Sequence, residues 1–116
     1  MILIVIFVLA HTLADFCFQS HWMASNKSSN NIALGLHVAV YTWTLLVIFV
    51  LYAGANIIPL VLLNGILHFG TDYYTSRWTS ALWKQNRIHD FFVVIGLDQC
   101  IHYLTWIGLL YIWGYV

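Results

Sequence analysis

Charged residues are scarce in this sequence of 116 residues. Only 7% of the residues are charged, against about a quarter in ordinary globular domains, and 62% are hydrophobic. A chain with so little charge cannot cover itself with polar surface, which excludes an ordinary water-soluble globular domain. Four basic and four acidic residues balance to zero net charge, so the sequence also lacks the basic patch of a nucleic-acid-binding protein and the polybasic arm of a peripheral lipid-binding one.

Cysteine and proline are rare as well. The two cysteines, Cys17 and Cys100, form no CxxC motif, and we expect them to be packing residues. The single proline, Pro59, suits the first turn of a helix. The apolar run from Met1 to Ala10 lacks the basic residues that open a secretory signal peptide, so we expect it to be a retained first membrane span.

Long apolar segments dominate what is present. About 20 largely apolar residues are needed for a helix to cross a bilayer core, and four segments meet this criterion. They run approximately over residues 2–18, 32–52, 57–74 and 91–113. The sequence therefore predicts an all-α fold, an integral membrane bundle of four transmembrane helices in one domain spanning residues 1–116.

Three connections join these segments. Residues 19–31 are rich in serine and asparagine and read as a loop, in which Ser29, Asn30 or Asn31 can cap the second helix. A turn around Gly54 predicts a tight antiparallel hairpin between the second and third helices. Residues 75–90 combine basic and tryptophan side chains, which predicts a short segment lying at the membrane interface.

The positions of the basic residues predict the topology. All four Lys and Arg residues lie in residues 19–31 and 75–90, and in a four-span bundle these two connections share one side of the membrane. By the positive-inside rule we expect both connections to be cytoplasmic and both termini to lie outside.

Ionisable residues recur inside the apolar segments at helical spacing. Three His and Asp pairs are four residues apart, which puts each pair on one helical face; the pairs are His11 and Asp15, His68 and Asp72, and Asp98 and His102. His37 lies on the second helix, while Gln19, Asn64 and Gln99 extend or flank the three faces. Counted from the helix ends, these groups reach similar depths, which predicts one shared polar site in the cytoplasmic leaflet.

Burying ionisable side chains inside a membrane bundle costs free energy. Each buried aspartate costs about 2.5 to 3.5 kcal/mol, whereas an interhelical polar bond returns about 0.6 kcal/mol on average. A purely structural polar network is the alternative reading, but its hydrogen bonds would return only a small part of the free energy that burying the aspartates costs. Imidazoles and carboxylates without thiolate suit zinc, manganese or iron, with enough ligands for one or two ions. The predicted ligands are His11, Asp15, His37, His68, Asp72, Asp98 and His102.

A metal with an open coordination position activates water, so we predict a metal-dependent hydrolase acting on a lipid or lipid-linked substrate. Two other functions stay open. A proton or ion relay could use the same side chains, although they cluster on one side of the membrane instead of crossing it. A non-catalytic partner of another membrane protein would use the apolar surface and loops instead, and a homo-oligomer is a related alternative.

The runs HTLADFCFQ, LHFGTDY and LDQCIH resemble the signatures of a small bacterial and phage membrane family without an assigned activity. Its pattern is His-x3-Asp-x3-Gln, then His-Phe-x2-Asp, then Asp-Gln-x2-His. The resemblance covers nearly the whole chain and implies a bacterial inner-membrane location. It marks His11, Asp15, Gln19, His68, Asp72, Asp98, Gln99 and His102 as site residues, with His37 and Lys27 matching a further histidine and a loop lysine. The chain is also similar, more distantly, to inner-membrane proteins described as metal-dependent hydrolases.

Overall fold

The chain folds entirely into helices. A computed structural model describes all 116 residues and contains no strand, which confirms the predicted all-α class. The five α-helices are α1 (Ile2–Thr12), α2 (His21–Asn26), α3 (Asn31–Ala53), α4 (Ile58–Lys84) and α5 (Ile88–Ile112). Helices α1, α3, α4 and α5 form the bundle, in which α4 packs against both α3 and α5, and α1 packs against α3 and α5.

Helix α1 continues into a π-helical turn over Leu13–Cys17. The Phe18 amide donates to the Leu13 carbonyl at 2.9 Å, which is the wider i to i+5 hydrogen bond that defines such a turn. Asp15 lies in this turn and is buried. Single π-turns inside helices occur frequently at functional sites, and here the turn carries one of the predicted metal ligands.

The segment predicted as a loop over residues 19–31 contains the short helix α2 between two capped turns. The Ser20 hydroxyl accepts from the Met23 amide at 3.2 Å and caps α2. The Asn30 side chain accepts from the amides of Ile32 and Ala33 at 2.8 and 3.4 Å, so Asn30 is the cap of α3. The predicted cap is confirmed, and the loop is more ordered than expected.

The predicted tight hairpin between α3 and α4 is confirmed. Gly54 follows α3 with φ of 81°, a conformation that favours glycine, and a single 3-10 turn over Ala55–Ile57 leads into α4. Pro59 lies at the start of α4, where its missing N–H costs no hydrogen bond.

Helix α4 is longer than the sequence predicted. The expected interfacial connection over residues 75–90 is wrong, because α4 continues without a break to Lys84 and only residues 85–87 connect it to α5. No Gly or Pro interrupts residues 75–84. The helix ends where Asn86 adopts a φ of 57° and the Arg87 amide donates to the Leu82 carbonyl at 2.9 Å, the bond of a Schellman cap.

Apolar side chains fill the half of the bundle nearest the chain termini and the Gly54 hairpin. Thirteen buried residues form one core cluster there. Phe7 of α1 stacks on Trp106 of α5 with ring centroids 4.5 Å apart, and Phe49 of α3 packs against the same indole at 4.7 Å. The core therefore joins α1, α3 and α5 at one end and leaves the other end of the bundle to polar side chains.

Two helices are long and apolar enough to cross a membrane. They are α3, with a mean hydropathy of 2.1, and α5, with a mean hydropathy of 1.4. The apolar helix over Ile2–Cys17 is shorter, and α4 carries Asn64, His68 and Asp72 along its length. By length and composition, the structure supports two candidate spans of the four that the sequence predicted.

Candidate metal centre

Seven ionisable side chains from five elements of the fold meet in its interior. Six of these side chains are at most 4% exposed, and that of Asp98 is 14% exposed. The seven, called the His–Asp cluster below, are His11 of α1, Asp15 of the π-turn, His37 of α3, His68 and Asp72 of α4, and Asp98 and His102 of α5. The structure thus brings together the faces that the four-residue spacing predicted.

Four ligand atoms of the cluster converge on one point: Asp15 Oδ1, His37 Nε2, His68 Nε2 and Asp72 Oδ2. His37 Nε2 lies 3.0 Å from Asp15 Oδ1 and 3.3 Å from Asp72 Oδ2. His68 Nε2 lies 3.5 Å from Asp15 Oδ1 and 3.6 Å from Asp72 Oδ2. The two imidazole nitrogens are 3.3 Å apart. These atoms form the first ligand group.

One of these atoms has no hydrogen-bond donor in the protein. Asp15 Oδ1 is buried, and the nearby His37 nitrogen does not meet it with hydrogen-bond geometry. A buried carboxylate oxygen normally accepts a hydrogen bond or binds a cation, because leaving it bare costs free energy. This unpaired oxygen is one of the four atoms of the first ligand group, the place where a metal ligand would lie.

A second ligand group shares one residue with the first. It consists of Asp72, Asp98 and His102, and His102 Nε2 lies 3.1 Å from Asp72 Oδ1 and 3.3 Å from Asp98 Oδ2. Asp72 therefore directs Oδ2 to the first group and Oδ1 to the second. The Thr75 hydroxyl donates to Asp98 Oδ1 at 2.6 Å and orients that carboxylate.

A chain of hydrogen bonds supports the cluster from the core side. The Asn64 amide donates to the Tyr41 hydroxyl at 3.0 Å, and that hydroxyl lies 3.1 Å from His11 Nδ1. On its other side, His11 Nε2 lies 2.9 Å from Gln99 Oε1. The amide nitrogen of Gln99 in turn donates to Asp15 Oδ2 at 3.0 Å and to Asp98 Oδ2 at 3.1 Å. Since the Gln99 oxygen can only accept, His11 carries its proton on Nε2 and accepts from Tyr41.

His11 was predicted as a ligand, and its surroundings differ from that expectation. Both of its ring nitrogens are held by Tyr41 and Gln99, so it lies beside the ligand groups and orients Gln99. Tyr41 was not among the predicted site residues, although it also stacks on His68 with ring centroids 3.8 Å apart. Its position one helical turn after His37 is the sequence signal that could have found it.

Lys27 reaches the cluster from the connection between α2 and α3. Its ammonium lies 3.1 Å from Asp72 Oδ2, and its side chain is 20% exposed. Burial opposes the charge on this lysine, but the carboxylates of Asp72 and Asp15 outweigh that effect and raise its pKa above the ordinary value. Lys27 therefore stays charged and neutralises part of the cluster.

A pocket of about 570 Å³ opens on the cluster from the side of α2. Asp15, Asp72 and Asp98 line it, and so does Gln19, whose buried Oε1 has no hydrogen-bond partner. Both cysteines, which we expected to be packing residues, are exposed on the surface of the bundle. Both ligand groups reach the pocket through their carboxylates, Asp15 and Asp72 in the first group and Asp72 and Asp98 in the second, whereas no histidine of either group lines it.

Comparison with known proteins identifies one family. The family model described as "Protein of unknown function (DUF3307)" matches residues 3–115. Neither the curated proteins nor the solved structures contain a match to this chain. The match spans the whole bundle, including every residue of the His–Asp cluster.

Proposed function

Because the chain belongs to the DUF3307 family, whose description names no activity, we propose a function from the geometry of the cluster itself. The protein is a membrane-embedded metal-dependent hydrolase that acts on a lipid or lipid-linked substrate at the cytoplasmic leaflet. Zinc is the ion that the ligands suit best, with manganese and iron as the other candidates.

The spacing of the first ligand group carries this proposal. Zinc bonds of about 2.0 to 2.2 Å to nitrogen and oxygen place tetrahedral ligand atoms about 3.3 to 3.6 Å apart. Five of the six distances among the ligand atoms of Asp15, His37, His68 and Asp72 are 3.0 to 3.6 Å, and all four atoms lie within 4.8 Å of one another. Four buried side chains from three parts of the fold thus lie close to the spacing that one tetrahedral ion requires.

Charge supports the same conclusion. Asp15, Asp72 and Asp98 bring three carboxylates into the interior, and Lys27 is the only ammonium in contact with them. With neutral imidazoles, two negative charges remain in a region where uncompensated charge costs several kcal/mol per ion. Divalent cations bound in the cluster would offset this negative charge.

The second ligand group is the better place for chemistry. Three protein ligands leave a position for water or substrate, and a divalent ion with such a position supplies an activated water near neutral pH. Asp98 lies at the pocket, where Thr75 and Gln99 hold its carboxylate in place. Hydrolysis consumes one water, whose hydroxyl joins the phosphorus or acyl carbon while its proton passes to the leaving alcohol.

Exposed apolar side chains support a position in the membrane. Leu51, Ile66 and Leu104, on three different helices, are 84%, 68% and 68% exposed. A surface of this kind suits lipid, and it surrounds α1 and α4 as well as the two candidate spans, so we infer a four-span bundle.

The basic residues cluster at the pocket end: Lys27 and Lys84 line the pocket, and Arg77 donates to Asn31 at the start of α3. By the positive-inside rule that end is cytoplasmic and both termini lie outside.

The proton relay is not favoured by the fold. Beyond Asn64 and Tyr41 the interior consists of apolar side chains such as Leu45, Phe49 and Trp106. A relay needs titratable or hydrogen-bonding groups across the whole membrane, and the bundle offers them in one half.

The direct test is metal content per chain, measured by mass spectrometry on untagged protein purified in detergent. We expect at least near-stoichiometric zinc, manganese or iron in the native chain, less metal in His68→Ala, and loss of metal in Asp72→Ala. His21→Ala is the matched control, because His21 is exposed on α2 and lies outside the cluster. Unchanged metal in both cluster variants, at native helical content, would defeat the ligand assignment. Release of product from lipid esters by the metal-loaded native protein tests the hydrolase itself.

A further inference from the structure

One wall of the pocket is formed by a part of α4 that was not predicted from the sequence. Residues 75–84, the unexpected extension of α4, continue the face that begins with Asp72. That face is rich in hydroxyls at spacings of three and four residues, and its pocket-lining members are Thr75, Ser76, Thr79, Ser80, Trp83 and Lys84. One helix therefore carries both the shared metal ligand and a polar wall of the pocket.

Several hydrogen-bond donors on this wall have no partner in the protein. The Ser76 hydroxyl is buried without any hydrogen bond, and the residue is only 8% exposed. Ser80 and, on the opposite wall, Ser28 line the pocket and likewise make no side-chain hydrogen bond. Buried hydroxyls are normally paired, so the unpaired Ser76 hydroxyl indicates a ligand that accepts hydrogen bonds.

Lys84 adds a free positive charge. The other three basic side chains are engaged: Lys27 with Asp72, Arg77 with Asn31 and Arg87 with Asp90. Lys84 lines the pocket and has neither an ion pair nor a hydrogen bond to the protein. Hydroxyl donors with an unpaired ammonium suit a phosphate group, which offers only acceptor oxygens and negative charge.

Part of the pocket lining is apolar. Trp83, at the end of the α4 wall, is 57% exposed and packs against Phe91 of α5, and Phe16 of the π-turn, which is 50% exposed, and Ile95 of α5 also line the pocket. A pocket with both polar and apolar lining suits an amphiphile, whose head group occupies the polar wall while its chain lies against the apolar residues and the surrounding lipid.

We propose that this pocket binds the phosphate group of an amphiphilic substrate, with Ser76, Ser80 and Lys84 as its donors. This inference rests on the proposed function, because three nearby carboxylates would repel an anion unless cations offset them. The same donors would also hold the phosphate of a soluble ester, and the two sources are separable by experiment.

The test is calorimetric titration of metal-loaded protein in detergent with three probes: dioctanoyl phosphatidic acid, glycerol phosphate and dioctanoylglycerol. We expect phosphatidic acid to bind at least about tenfold more tightly than the neutral diacylglycerol. Glycerol phosphate that binds as tightly as phosphatidic acid would point to a soluble ester, and glycerol phosphate that binds much more weakly would point to a lipid.

Two variants with matched controls test the donors. Lys84→Gln should weaken phosphatidic acid binding about tenfold, whereas Arg87→Gln, which removes the same charge outside the pocket, should not. Ser76→Ala should weaken binding severalfold, whereas Ser29→Ala, at an exposed serine outside the pocket, should not. Metal content should be unchanged in all four variants.

Metal analysis of the same samples separates this inference from the proposed function. Metal-loaded native protein that binds phosphatidic acid and diacylglycerol equally would overturn the phosphate assignment alone. Equal affinities for Lys84→Gln and Arg87→Gln would do the same. Native protein that takes up no metal would overturn both proposals.

Discussion

The ammonium of Lys27 lies 3.1 Å from Oδ2 of Asp72, across 45 residues of sequence. A connection outside the bundle thereby neutralises a carboxylate that is only 2% exposed in the middle of α4. Both residues line the pocket, so the contact lies at the boundary between the ligand groups and the outside. Lys27 and a divalent cation at the first ligand group would stabilise the same oxygen.

We predict that Lys27→Met lowers the free energy of unfolding of metal-free protein by about 2 kcal/mol, because it removes a charged hydrogen bond and leaves Asp72 uncompensated. The loss should shrink when zinc is added, since the ion offsets the same carboxylate. Lys84→Met is the matched control, because Lys84 has no ion pair. Unfolding in detergent, with and without chelator, measures the effect. A loss of equal size in both conditions would contradict the shared role of Lys27 and the metal.

The shared position of Asp72 predicts two ions per chain. His102→Ala should lose the ion of the second ligand group and keep that of the first, while His68→Ala should do the reverse. Asp72→Ala should lose both, because its two oxygens serve different groups. Metal content per folded chain distinguishes these outcomes. A native chain that saturates at one ion would rule out the two-ion arrangement.

Contact between α3 and α4 predicts opposite effects for two glycines on one helix. A Cβ added to Gly65 would collide with the side chain of Thr42 and would lie only 3.3 Å from the Thr42 Cβ. A Cβ added to Gly70 would meet nothing within 4 Å. Gly65→Ala should therefore lower the unfolding free energy by about 1 to 3 kcal/mol. Gly70→Ala should raise it by up to about 1 kcal/mol through helix propensity alone. Thermal unfolding of the two variants checks the prediction, and a stabilising Gly65→Ala would contradict it.

The proposed topology predicts which residues an impermeant reagent reaches in intact cells. In a background of Cys17→Ser and Cys100→Ser, a Val116→Cys variant should react with an impermeant maleimide from outside. A Ser29→Cys variant should react only after the membrane is permeabilised. Both native cysteines are exposed, so they must be removed for the labelling to report on the introduced residue. The reverse pattern would place the pocket outside.

Much of the fold was predictable because it depends on local sequence. Apolar length predicted helices at residues 2–18, 32–52 and 91–113, and the structure places α1 with its π-turn, α3 and α5 there. Asn30 as a cap and Gly54 as a turn depend on backbone groups a few residues away. The four-residue spacing of the His and Asp pairs likewise required only the period of a helix.

The length of α4 was missed for a physical reason. Residues 75–84 are too polar to extend a membrane span, but polarity does not end a helix, and no Gly or Pro does so before Asn86. Reading the end of the apolar run as the end of the helix hid the hydroxyl-rich face that lines the pocket. The Asn86 cap was the available signal.

The sequence by itself determined the all-α class, the apolar character of the chain and the set of imidazoles and carboxylates inside it, because each follows from composition and helical period. Only the tertiary structure decided which of those side chains belong to the first ligand group, which to the second and which to neither. Distances between ligand atoms on different helices depend on how the helices pack, so no spacing along the chain could show that Asp72 serves two ligand groups. Packing also turned His11 toward Tyr41 and Gln99, and brought Lys27 onto Asp72.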